Sequence, residues 1–390
     1  MKTTTNTSSL YFTWEYQDVS HFGQFQDSTG YVMKMELLPK YSYLFTSSRG
    51  PITFHTASLS GDRDPYLSSI YVYDGADLNA PFMGNLYQLS YKAPWVTTGK
   101  NMVLVNYYNR TGPSYGIAND YDAISNYTLY NFNLLTTAQA SSNTFGALLS
   151  YSVASTYYCI DCTETYITSL TVNQYDGVTI PQLLTFQPLS PTLSQRSLLA
   201  YTAIQPLNQY MPQQIPGRMF TMIASSVTAS FNFVPGPFAD WGKATPGRKG
   251  TIFSPSLWDP ISPATYSTNF TASGMSTFAF TLASMETSEA EAKIHIEVGS
   301  PNSTPVVTEF CSSTTNGGSR SANGTYMSTT YTGKSNKSSF VLQFDIESTD
   351  PSLNPSTTTR PVITTTRATS HIFDFKVVLL VLTFLKIFIN

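Results

Sequence analysis

Ionisable side chains are scarce in this chain. Asp, Glu, Lys and Arg make up 12% of its 390 residues, about half the roughly 25% usual in soluble domains. With 21 basic against 24 acidic residues the net charge is −3. No basic field exists to attract nucleic acid, so that partner class is excluded. The four histidines are His21, His55, His295 and His371. None stands in the His-Glu-X-X-His spacing that places two zinc ligands on one helical face. Gly274-Met275-Ser276-Thr277-Phe278 lacks the closing glycine of a nucleophile elbow, and no Gly-rich phosphate loop is present. No catalytic residue, metal ligand or cofactor is assigned, and the chain is expected not to be an enzyme.

Cysteine is equally sparse. Three cysteines cannot build a disulfide scaffold, so the domains must hold together by their cores. Cys159-Ile160-Asp161-Cys162 has the spacing of a redox pair, but no βαβ context surrounds it. Zinc would need four ligands, and no second pair exists. A small local disulfide between Cys159 and Cys162 is expected, since oxidising compartments favour bridges. Cys311 is then odd, or it pairs with one of the two. Missing as well is an apolar segment near the N-terminus: Met1-Lys2-Thr3-Thr4-Thr5-Asn6 offers no signal-peptide core.

The other end supplies what the first lacks. Val377 to Ile389 is almost wholly apolar. Thirteen residues of helix reach about 20 Å, against a hydrocarbon core of about 30 Å, and Lys386 interrupts them. A short apolar tail behind a brief polar spacer and small residues fits a GPI-attachment signal over 371–390, with attachment at Ala368 or Ser370. A short membrane helix or a buried strand is the alternative. Before it, 348–370 is Ser, Thr and Pro with little to bury, an expected extended stalk. Tail and stalk both place the protein on the outer leaflet of the plasma membrane, its membrane partner. That route needs a signal peptide, so the true first residues are expected to lie upstream of Met1. It also makes the sequons at Asn6, Asn109, Asn126, Asn269, Asn302, Asn323 and Asn336 candidate glycan acceptors.

Between the ends the composition favours strands. Tyr and Phe number 26 and 24, and aromatic and β-branched side chains suit a pleated, half-buried surface. Tyr31, Met33, Met35 and Leu37 alternate with Val32, Lys34 and Glu36, which is period two. Tyr41 to Thr46 and Met102 to Tyr108 are further strand candidates, and 112–123 has room for one more. Ile70 and Val72 share one face, Tyr71 and Tyr73 the other, and Asp74-Gly75 ends the strand in a turn. Late in the chain Ile294, Ile296 and Val298 point one way, as do Phe340, Leu342, Phe344 and Ile346. His295 falls on the opposite, solvent-facing side.

The stretch 68–123 resembles the C-terminal half of a CUB domain. A strand ends in Tyr73-Asp74-Gly75, a variable loop follows, then Pro81-Phe82-Met83-Gly84, a turn at Thr98-Gly99-Lys100, and a strand ending at Tyr107-Tyr108. With a stalk and GPI-type tail it is similar to the divergent CUB-like proteins of nematodes, many of them surface or secreted proteins linked to responses to microbes. The resemblance implies jelly-roll β-sandwiches. Calcium-binding members carry Asp six residues before the Asp of Asp-Gly; Ser68 stands there, with Asp62, Asp64, Asp74 and Asp77 nearby. Thr165 to Gly177 again runs a strand into Tyr175-Asp176-Gly177. The expected fold is therefore all-β: a flexible N-terminus over 1–9, a CUB-like domain over 10–134, a linker over 135–145, a second sandwich over 146–235, a Pro/Gly linker over 236–262 and a third β-sandwich over 263–347. Two sandwiches, with 135–262 elaborating the first, is the alternative.

Lys243, Arg248 and Lys249 are expected to be solvated in the second linker. The second face of Tyr71, Tyr73, Tyr107 and Tyr108 admits two readings. Burial by a facing sheet or the next domain is the plainer one. The other is an exposed patch that binds a glycan or a protein. The implied function is a non-enzymatic surface protein that binds a protein or glycan, with a role in defence against microbes. The alternative is a structural or adhesion protein of the surface or matrix.

Overall fold

The structure, a computed structural model, describes residues 18–61, 64–90, 94–108, 110–139, 141–146, 151–175, 182–287, 289–311 and 318–350. The stalk beyond residue 350, the tail, Ala368, Ser370, Asn6, Asn109, Asp62 and the Asp176-Gly177 pair lie outside them. The described residues are mostly β-strand, organised in several sheets.

The first group of strands is β1 (Gly23–Ser28), β2 (Val32–Lys34), β3 (Tyr41–Thr46), β4 (Ile52–Ala57), β5 (Ile70–Tyr73), β6 (Phe82–Asn85), β7 (Asn101–Asn106) and β8 (Tyr115–Asp120). They form a five-stranded sheet, β1-β3-β7-β5-β6, and a three-stranded sheet, β2-β8-β4. Ile70, Val72, Met102, Leu104 and Phe45 from the first sheet close on Ile52, Phe54 and Ala118 from the second. Met35 and Leu37 join this core as their alternation implies. β2 itself is short, and Tyr31 is exposed.

The second group is β9 (Leu129–Leu135), β10 (Ser141–Gly146), β11 (Ser152–Cys159), β12 (Thr165–Gln174), β13 (Leu183–Pro188), β14 (Leu199–Tyr201), β15 (Gln213–Ile215), β16 (Met219–Ser225) and β17 (Val227–Pro235). A four-stranded sheet, β10-β17-β12-β15, stands with a five-stranded one, β14-β13-β16-β11-β9. Phe186, Phe220 and Phe233 are buried in the cluster they share.

The third group is β18 (Lys249–Phe253), β19 (Tyr266–Glu286), β20 (Lys293–Gly299), β21 (Val306–Cys311), β22 (Arg320–Tyr331) and β23 (Ser339–Ser348). Where a third sandwich is expected, these form one six-stranded sheet, β18-β23-β19-β22-β20-β21. The reason lies in the 21-residue β19. Residues 266–271 and 276–280 pair with β22 and residues 276–286 with β23, with register shifts after Thr271 and after Leu282. Such irregularities bend a strand, and between them residues 276–280 are bonded to a neighbour on each edge.

The stretches expected as linkers are structured instead. Leu129 to Leu135, read as the end of the first domain, pairs in parallel with Val153 to Cys159. Residues 135–145 carry the start of β10, paired with β17. Within 236–262, Lys249 to Phe253 pairs with Val341 to Asp345. The Pro and Gly residues there mark turns at either side of a short strand, not a loose tether. Cores also run across the joints. Ile117 of β8 is buried with Phe132 and Met219, and Phe253 and Trp258 belong to the cluster of the second group.

Lys243 is exposed as expected, but Arg248 corrects that expectation for its own position. Arg248 is only 3% exposed. Its guanidinium donates to the carbonyls of Trp241 at 2.8 Å, Pro212 at 3.3 Å and Lys243. It also faces the rings of Trp241, Phe270 and Phe344. Carbonyl oxygens and aromatic faces supply the negative potential that water would have supplied. Lys249 pairs with Asp345 and Lys243 with Asp240, each at 2.5 Å.

Candidate binding surface

β5 alternates strictly. Ile70 and Val72 enter the first core, which sends Tyr71 and Tyr73 to the opposite face of the five-stranded sheet. The register sets Tyr71 between Val105 and Asn85, and Tyr73 between Val103 and Phe82. Val103 and Val105 are fully buried on that face. The chain leaving β7 then adds Tyr107 and Tyr108. Asn106 holds that corner: its Nδ2 donates to Arg110 O at 2.6 Å and Leu37 O at 3.3 Å, and its Oδ1 accepts from Tyr108 N at 3.2 Å.

The rings brace one another. The Tyr73 and Tyr107 hydroxyls share a hydrogen bond of 3.0 Å. Tyr71 meets Tyr107 edge-on at 5.4 Å and Phe82 at 5.6 Å, and Tyr73 lies 5.6 Å from Phe82. Tyr108 lies 6.3 Å from Tyr71, and Phe22 lies 5.9 Å from Tyr107. Phe82 is 56% exposed and Tyr108 50%, while Tyr71, Tyr73 and Tyr107 are half-buried. Burial, and then the bond to Tyr73, pushes the Tyr107 phenol far above its ordinary range. Burial, followed by a bond to Tyr108, raises Tyr71. These hydroxyls stay neutral, each able to donate and to accept.

This arrangement corrects the plainer of the two sequence readings. The three-stranded sheet packs on the other side, and among the described residues no facing sheet covers these rings. They cover the two valines and leave their outer halves at the surface. Sequence alternation separates Tyr71 and Tyr73 from the core, but it does not reveal Phe82 or the corner built by Asn106. Phe82 follows Pro81 outside any alternating run, and Asn106 carries no motif.

The loop carboxylates are engaged in local structure. Asp64, almost fully buried, accepts from Tyr66 N and Ser114 Oγ at 2.9 Å. Both oxygens of Asp74 accept from Thr98 N at 3.0 Å, and Asp77 accepts from Asn79 N at 2.8 Å. Ser68 is exposed and donates to Pro65 O at 2.7 Å. Beside Asp64 opens a cleft of about 360 Å³ lined by Thr56, Ser114, Phe132, Asn133 and Tyr157 among others.

Cys159 and Cys162 are joined by a disulfide. Asp161 between them accepts from Thr137 N at 2.9 Å and Thr137 Oγ1 at 2.6 Å, which ties this loop to the turn after β9. Among the described residues, three metal-capable groups converge at Cys159, Asp161 and Cys162, where the disulfide occupies both sulfurs. Cys311 is exposed at the end of β21. Asn126, Asn269, Asn302, Asn323 and Asn336 are all exposed.

No protein-family model matches the sequence, and no curated protein matches it. Among solved structures, the chain is similar to the CUB1-EGF-CUB2 domains of rat MASP-1, with 11% identity over 55% of this chain and 99% of that one and a TM-score of 0.18. It is likewise similar to the CUB1-EGF-CUB2 domain of human MASP-1/3, with 11% identity over 53% and 93% and a TM-score of 0.18. At that score neither likeness carries an argument.

Proposed function

We propose that this protein is a non-enzymatic surface protein that binds a protein or glycan through the aromatic face of its first β-sandwich. The half-exposed cluster of Tyr71, Tyr73, Phe82, Tyr107 and Tyr108 carries this reading. Such rings offer rigid apolar area at little entropic cost, and their hydroxyls add directional bonds. The CUB-like pattern over 68–123 supports assigning this sandwich to that family. The apolar tail supports a GPI anchor at Ala368 or Ser370, with attachment to the outer leaflet of the plasma membrane, and the CUB-like resemblance supports a role in defence against microbes.

The test is an array of microbial and host oligosaccharides probed with the full chain in neutral detergent. Alongside runs a variant carrying Tyr71→Ala, Phe82→Ala and Tyr108→Ala. Retention of a glycan set by the wild type, lost in the variant at unchanged melting temperature, supports the reading with a glycan partner. If the array stays blank, cross-linking on intact cells through a photoreactive residue at position 82 tests for a protein partner. Failure of both removes the surface from consideration.

The shared cores between strand groups favour a second reading, a structural or adhesion protein. Aggregation of beads coated with the chain, unaffected by the three substitutions, would favour it.

A further inference from the structure

Asp64 stands just before the short helical turn Pro65–Ser69 and is only 5% exposed. Its Oδ1 accepts from Tyr66 N and its Oδ2 from Ser114 Oγ, each at 2.9 Å. The first of these bonds caps the turn. Capping asks only for an acceptor, which Ser or Asn supplies as well. The negative charge of an aspartate is therefore surplus to the local fold. Buried charges are ordinarily paired, yet among the described residues no Lys, Arg or His forms an ion pair with Asp64.

Asp64 and Ser114 line the cleft of about 360 Å³. Leu59 and Leu67 border it from the first group of strands, and Phe132 and Leu135 of β9 from the second. Leu67, Phe132 and Leu135 are buried, whereas Leu59 is 42% exposed and so stands at the mouth. Cavities of this size lie at the lower end for small-ligand sites, with room for one amino-acid side chain and not for an oligosaccharide. Each carboxylate oxygen has two lone pairs, so each keeps one beyond the bond it already accepts.

We propose that this cleft binds an organic cation carried on an apolar stem. The group is an alkylammonium or alkylguanidinium, supplied by a Lys or Arg side chain of a partner or by a free amine of the same chemistry. Its N–H groups donate to the remaining lone pairs of Asp64, and such charge-assisted bonds are about twice as strong as neutral ones. Its stem lies along Leu59, Leu67, Phe132 and Leu135, as the stems of long basic side chains lie along apolar surface. The pair forms away from bulk water, where attraction between charges is screened less than at the surface. An uncharged ligand of the same shape fills the walls but leaves Asp64 without its counter-charge.

The test titrates small probes into the full chain in neutral detergent, near neutral pH, by calorimetry. The probes are the acetylated methylamides of lysine, arginine and norleucine, and n-pentylamine. Saturable binding of a cationic probe with Kd below about 1 mM is expected, at least tenfold tighter than that of the uncharged norleucine probe. Binding of n-pentylamine as tight as that of the lysine probe points to a free amine. Preference for the capped amino acids points to a side chain of a partner. Asp64→Asn keeps an acceptor for the cap, removes the charge and should weaken binding at least tenfold. Leu59→Lys brings a positive charge to the mouth from an exposed position and should do the same, and melting curves confirm that each variant folds. The variant carrying Tyr71→Ala, Phe82→Ala and Tyr108→Ala should bind like the wild type, which separates this site from the aromatic face. The absence of such binding by every cationic probe, equal affinity for the norleucine probe, wild-type affinity in a folded Asp64→Asn or Leu59→Lys, or loss of binding in the triple variant would each overturn the proposal.

Discussion

Arg248 lies with its guanidinium carbon 4.9 Å from the centroid of the Trp241 ring and donates to the carbonyl of that same residue at 2.8 Å. Its side chain joins the turn after β17 to Pro212, which precedes β15. Desolvation lowers its pKa to about 10, so it remains a cation at neutral pH.

Arg248→Lys should therefore not be conservative. A single ammonium cannot reach three carbonyls in a planar fork while lying against rings. A loss of about 2–4 kcal/mol in urea unfolding is expected. Arg248→Met removes both the charge and its desolvation cost, and should be the milder change.

His55 of β4 meets Tyr130 of β9 edge-on at 4.7 Å, and its buried Nδ1 has no hydrogen-bond partner among the described residues. Burial pushes its pKa down to about 4, below the roughly 6.5 of an unfolded imidazole. Between those values the unfolded chain binds a proton that the folded chain does not. Stability present in full above about pH 6.5 is therefore lost as pH falls toward 4, by about 1–3 kcal/mol. Chemical denaturation at pH values spanning this window should show the slope, and His55→Leu should flatten it.

Gly30 has a φ of +96°, and its carbonyl accepts from Ser190 Oγ at 2.9 Å. An added Cβ would lie 2.5 Å from Leu193 Cγ. Gly30→Ala should cost about 2–4 kcal/mol, combining backbone strain with a clash. Leu193→Ala in the same chain should recover the clash but not the strain, so the double variant should be more stable than the sum of the singles predicts.

Expressed through the secretory route, the chain should carry glycans at Asn126, Asn269, Asn302, Asn323 and Asn336, all of them exposed. Digestion with an N-glycanase should lower its apparent mass, and each Asn→Gln change should remove one increment. An unchanged mass would show that these sequons are not used.

Period-two alternation made much of the strand content legible. Ile70 and Val72, then Ile294, Ile296 and Val298, then Phe340, Leu342, Phe344 and Ile346 all face inward as read. Partner choice was not legible. Nothing local tells Leu129 to Leu135 to join the following sheet rather than the preceding one, because the decision rests on Ile117, Phe132 and Met219 packing across the joint. Arg248 was misread because a charge among Pro and Gly signals a solvated loop, whereas the compensating carbonyls and rings come from distant segments. For the aromatic face, the sequence told which side Tyr71 and Tyr73 take, but only the placement of the second sheet decides whether that side is covered.

The parallel pairing of β9 with β11, running from Leu129 with Val153 to Leu135 with Cys159, has a mechanical consequence. The chain enters β9 from the first group of strands through the single helical turn Tyr121–Ile124. Tension between that group and the remainder would draw β9 along its own axis and load its hydrogen bonds to β11 in shear. Bonds loaded that way must give together instead of opening one after another, so this joint should resist extension where an ordinary linker would simply straighten.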